Sequence, residues 1–76
     1  MSSDTDVKLV RMANQIASFF DTQKGKDPVE ATARHLVEFW DPRMRAQLTS
    51  ILARGAEGLS PTARGAAESL AQAQDA

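Results

Sequence analysis

Three prolines partition this chain, and each directly follows a residue whose side chain caps helices: Asp27-Pro28, Asp41-Pro42 and Ser60-Pro61. Proline fits the first turn of a helix, where its missing N–H would have had no intrahelical partner. An Asp or Ser just before it accepts a hydrogen bond from a free amide of that turn. Three helix starts are thus written at fixed places. Glu30, three residues after Asp27, completes a capping-box pattern, and Asp4 or Asp6 is suited to cap a further helix ahead of them. The expected fold is all-α: three to four short helices in a small bundle, with a frayed C-terminal tail.

Apolar spacing fills in the helices. Between Asp6 and Thr22, Leu9, Met12, Ala13, Ile16, Phe19 and Phe20 share one arc, and Gly25 is suited to a left-handed stop. From Pro28 to about Trp40, a core stripe of Val29, Ala33, Leu36, Val37 and Trp40 is flanked by a second stripe of Thr32, His35 and Phe39. Glu30, Arg34 and Glu38 alternate in sign on the outer face. Asp41-Pro42 disfavours continuous helix at Asp41, so a sharp corner is expected before a third helix with Met44, Leu48, Ile51 and Leu52 inside. Gly55 and Gly58 end that helix. The stretch after Pro61 offers mostly alanine (Ala63, Ala66, Ala67) with Leu70, and Gly65 costs it about 1 kcal/mol relative to alanine. The whole chain, 1–76, reads as one helical domain with its core in 6–60, a weaker helix and tail over 61–76, and disorder expected over Ala73–Ala76.

A chain of 76 residues buries only about 60% of its unfolded surface, so small domains commonly add disulfides, a metal or a partner. Cysteine is absent and His35 is the one histidine, which leaves a partner. Net charge is −1, against the strongly basic face that nucleic-acid binding needs. A corner after Trp40 is also too short for the usual helix-turn-helix turn. No apolar run approaches the roughly 20 residues of a membrane span. The polar, acidic start does not read as a signal peptide, and the expected location is the cytoplasm.

Catalysis needs a nucleophile with its base, paired acids, a metal or a phosphate loop, and the sequence shows none of these patterns. The densest feature is Phe39-Trp40-Asp41-Pro42-Arg43-Met44-Arg45. Trp40 is expected in the core, because bulky apolar groups must build so small an interior. Phe39, Arg43 and Arg45, with His35 and Arg54, are the candidate partner-binding residues. Tryptophan and arginine concentrate binding energy at interfaces, and the four arginines from Arg34 to Arg54 suit an acidic partner patch. Arg43, in the first turn of a helix, also suits an anion, although Asp41 competes for the same amides. No catalytic, cofactor-binding or metal-ligating residue is assigned.

Three blocks carry a resemblance: Leu9-Val10-Arg11-Met12-Ala13-Asn14-Gln15-Ile16-Ala17 with Phe19-Phe20; His35-Leu36-Val37-Glu38-Phe39-Trp40-Asp41-Pro42-Arg43-Met44-Arg45; and Gly58-Leu59-Ser60-Pro61. Over roughly Val7 to Pro61 the chain resembles the delta subunit of NAD-dependent, molybdenum-containing formate dehydrogenase. The tail departs: an apolar residue is common in the family after the proline, whereas here Thr62 follows Pro61, and then Gly65. The resemblance implies a non-catalytic small subunit of a cytoplasmic complex that oxidises formate and reduces NAD. It implies a large alpha subunit carrying a molybdenum molybdopterin guanine dinucleotide cofactor and iron–sulfur clusters, a beta subunit with FMN, and a gamma subunit with a further cluster. This chain would hold no redox centre and would dock on the alpha subunit, stabilising it or its cofactor-loaded form.

Two other readings stay open. A transient assembly or cofactor-insertion chaperone would bind the same enzyme and leave. A self-associating helical adaptor, unrelated to formate, would cover Phe39 by pairing with itself.

Overall fold

The computed structural model describes residues 4–75, which form four α-helices: α1 (Asp4–Asp21), α2 (Pro28–Phe39), α3 (Pro42–Ala53) and α4 (Pro61–Asp75). All three proline-marked starts are capped as their sequences dictate. The Asp27 carboxylate accepts from the amides of Val29 and Glu30 at 3.0 and 3.4 Å. Asp41 accepts from the Met44 amide at 2.8 Å, and the Ser60 hydroxyl from the Ala63 amide at 3.2 Å. Glu30, expected to reach back to Asp27, lies instead with Arg34.

The ends follow equally local rules. Trp40 and Asp41 are both extended, with ψ of 139° and 165°, and form the whole corner between α2 and α3. After α3, the Gly55 amide donates to the Leu52 carbonyl and the Ala56 amide to the Ile51 carbonyl, the paired bonds of a Schellman motif. Gly55 takes φ 119° there, a conformation glycine adopts without a Cβ clash. Asn14 then pins the α3–α4 loop: its side-chain amide donates to the Gly58 carbonyl and accepts from the Ser60 amide, both at 2.8 Å.

Helices α1 and α4 each contact all three of the others, and the contact between α2 and α4 is the most extensive. The core draws on every element: Leu9, Ala13 and Ala17 from α1; Ala33 and Leu36 from α2 with Trp40 just beyond it; Leu48 and Ile51 from α3; Ala63, Ala66, Ala67 and Leu70 from α4. Leu36 and Leu48 are fully enclosed, each worth about 1.5–3 kcal/mol of transfer energy. Val10, Met12, Ile16, Met44, Leu52 and Leu59 surround them. Trp40 is in the core, as its size requires.

Two expected core residues point outward. Phe19 is 59% exposed and Val37 54%. The inward line of α1 runs Leu9–Ala13–Ala17, and Phe19 stands about 200° around the helix from Ala17 at 100° per residue. Val37 stands about 100° from Leu36, while Thr32, assigned to the flanking stripe, is fully buried. Asp6, offered as a cap, lies inside α1 and is only 7% exposed. Helix geometry continues through Asp75, and Ala76 lies outside the described residues.

The alanines of α4 serve closeness rather than bulk. A Cβ built on Gly65 would lie 2.9 Å from Val29 Cγ2, so glycine lets α4 approach α2 where no larger residue fits.

Candidate partner-binding surface

The end of α1 and the outer edge of α2 meet in a row of rings. Phe19 and Phe20 stand edge to face, 5.2 Å between centroids. Phe20 meets His35 across the helix pair at 6.1 Å, and His35 lies against Phe39, one turn further along α2, at 4.5 Å. Offset and edge-on arrangements at such separations are the favoured aromatic geometries. Both ends of the row face water: Phe39 is 69% exposed, and Phe19 is the outward-facing residue at the other end. A hollow of about 280 Å³ between Gln15, Ile16, Phe19, Phe20 and His35 interrupts the row. Beside it a wider groove of about 390 Å³ runs along α2, bounded by Phe20, Lys26, Glu30, Arg34, His35 and Glu38. The Glu30–Arg34 pair on its edge spans 3.5 Å with both side chains solvated, which is worth little.

Of the five candidate residues, the structure brings His35 and Phe39 together. Arg43 is exposed on the first turn of α3, beside them in sequence across the corner, and Asp41 occupies the Met44 amide of that turn. Arg45 turns back on the fold: its guanidinium donates to the carbonyls of Val37, at 3.1 Å, and of Trp40. It closes the carboxyl end of α2, where carbonyls run out of intrahelical partners. Arg54 belongs to a different place. Its Nη2 is 2.9 Å from the Asp6 carboxylate, which also accepts from Gln47 at 3.1 Å. This network borders a second groove of about 430 Å³ with Val7, Val10, Ile51, Glu57 and Gly58. Asp6 and Phe20 lie roughly 20 Å apart along α1 at 1.5 Å per residue, so Arg54 shares no surface with Phe39.

Sequence reasoning missed Phe19 and Phe20 as surface residues. A signal was present: adjacent residues on a helix diverge by about 100°, so Phe19 and Phe20 cannot both face one core. The Asp6–Arg54 pairing, 48 residues apart, carried no local signal.

Among the described residues no three His, Cys, Asp or Glu side chains are grouped to hold a metal ion. No described helix is long and apolar enough to cross a membrane.

No curated protein and no solved structure matches the chain. One family model does, that of the NADH-dependent formate dehydrogenase delta subunit FdsD, and it spans residues 8–67. That span takes in the ring row, the Trp40–Asp41 corner and the Gly65–Val29 contact, and the chain belongs to the family of formate dehydrogenase delta subunits.

Proposed function

We propose that this chain is a non-catalytic subunit of a cytoplasmic NAD-dependent formate dehydrogenase complex and docks on the molybdenum-bearing alpha subunit through the Phe19–Phe20–His35–Phe39 row. The redox centres then lie in the partner chains. The observation that carries the reading is the row itself. Two phenylalanines exposed by 59% and 69% stand at the ends of the ring row, although so small a chain has few large side chains for its interior. Aromatic residues are enriched at interface cores, where rigid rings fill partner pockets. A partner that binds one state of the alpha subunit stabilises that state by mass action, which is how a subunit without its own chemistry supports the cofactor-loaded enzyme.

The test is a tagged Phe19→Ser/Phe39→Ser double variant expressed with the other subunits. The wild-type chain should co-purify stoichiometrically with an active, molybdenum-containing complex. The variant should remain helical by circular dichroism and drop out of the complex. Stoichiometric recovery of the variant would remove this face from the reading. A wild-type chain recovered only with molybdenum-free alpha subunit would make it an assembly factor. Self-association of the isolated chain, lost in the variant, would favour the helical adaptor.

A further inference from the structure

We infer that the hollow between α1 and α2 receives an uncharged, apolar side chain of the docking partner, and that His35 must be neutral for that side chain to enter. This rests on the docking reading above. His35 is half-buried and, with Phe20, borders two depressions of opposite character. The groove along α2 carries Lys26, Asp27, Glu30, Arg34 and Glu38. The hollow, about 280 Å³, is bordered otherwise by Gln15, Ile16 and Phe19, so that of its described lining residues only His35 can carry a charge. A space with no fixed charge in its walls is complementary to an uncharged group: a charged one would lose water there and gain no counter-ion.

The ionic groups that share a depression with His35 all border the groove. Asp27 is held by the first-turn amides of α2, and Glu30 pairs with Arg34. Glu38 stands one turn along the same helix, and Lys26 is of the same sign as a protonated ring. On α1, Asp21 follows Phe20 but bonds to the Thr62 hydroxyl at the start of α4. Among the described lining residues, no carboxylate faces His35 across the hollow. An apolar side chain seated there strips water from the ring. An imidazolium so covered finds no counter-charge on that side, whereas a neutral imidazole loses far less. The docked state therefore binds a proton at His35 less readily than the free chain. By linkage, affinity is full above the histidine range and falls as pH drops through it.

The experiment measures the affinity of the full chain for formate dehydrogenase assembled without it, at about pH 5.5 and about pH 7.5. An ordinary histidine is about nine-tenths charged at the lower value and about one-tenth at the upper, so the wild type should bind ~10-fold more weakly at the lower. His35→Gln, which does not titrate, should bind equally at both, and Glu38→Gln should keep the wild-type ratio. Gln15 is exposed on the rim of the hollow. Gln15→Lys should weaken binding ~10-fold at the upper pH by setting a charge against the apolar occupant, and Gln15→Leu should hold or tighten it. A flat wild-type profile, tighter wild-type binding at the lower pH, or an unchanged ratio in His35→Gln overturns the histidine requirement. Wild-type affinity in Gln15→Lys overturns the apolar occupant. Each of these results, with binding lost in Phe19→Ser/Phe39→Ser, leaves the docking face standing. Full binding by Phe19→Ser/Phe39→Ser overturns the docking reading itself.

Discussion

Gly65 on α4 lies so close to Val29 on α2 that a Cβ added to it would sit 2.9 Å from one valine methyl and 3.1 Å from the other. Those methyls belong to a β-branched side chain with restricted χ1 freedom, so the contact has little room to give. The glycine that reads in sequence as a defect in a helix is the point at which two helices touch.

Gly65→Ala is therefore expected to destabilise the protein. Alanine gains about 1 kcal/mol in helix propensity, and overpacking costs about 1–3 kcal/mol, for a net loss of about 1 kcal/mol. The thermal midpoint should fall by about 4–8 °C. Adding Val29→Ala should cost less in that background than alone, and a rise in midpoint for Gly65→Ala would show that the seam opens freely.

The Asp6–Arg54 pair should be worth more than an ordinary surface bridge. Arg54 is half exposed, but the Asp6 side chain is nearly enclosed. Arg54→Ala leaves that carboxylate short of its guanidinium donor and should cost about 1–3 kcal/mol in urea unfolding. Arg34→Ala, which removes the solvated bridge to Glu30, should cost less than about 0.5 kcal/mol.

At the corner, Asp41→Ala removes the acceptor of the Met44 amide and should cost about 1 kcal/mol, whereas Asp41→Asn should largely preserve stability. Arg45→Ala uncovers the Val37 and Trp40 carbonyls and should cost about 0.5–1.5 kcal/mol. Denaturation curves of the three variants rank them, and an asparagine as damaging as alanine would contradict the cap.

The Thr32 hydroxyl is buried without a hydrogen-bond partner. Thr32→Val keeps the branched shape and removes the stranded polar atom, so stability should hold or rise by about 1 kcal/mol. Destabilisation by more than about 0.5 kcal/mol would mean that the hydroxyl is bonded in solution.

The helix count, the three capped starts and the Trp40 anchor were legible because each depends on residues within one turn of one another. Phe19 and Val37 were misplaced because an apolar arc wider than one neighbour can cover does not reveal which edge is covered. That choice falls to the other helices, which bury Ala13 and Ala17 and leave Phe19 outside. Asp6 looked like a cap because its partners, Gln47 and Arg54, arrive from more than forty positions away. Of the candidate surface, His35 and Phe39 were legible as a flanking stripe, whereas Phe19 and Phe20 join it only once α1 and α2 lie side by side. Arg45 and Arg54 bond within the fold, a use of arginine that composition does not separate from binding.

The two-residue corner at Trp40 and Asp41 has a mechanical consequence. One residue is held by the core and the other by its bond to α3, so the joint has almost no play. Phe39 and Arg43 ride on the two arms of a bent lever whose angle is set when the chain folds. The docking row ends on the α2 arm at Phe39, and a partner that also reached Arg43 would meet both arms at a preset angle, with the ordering cost that weakens flexible binders already met.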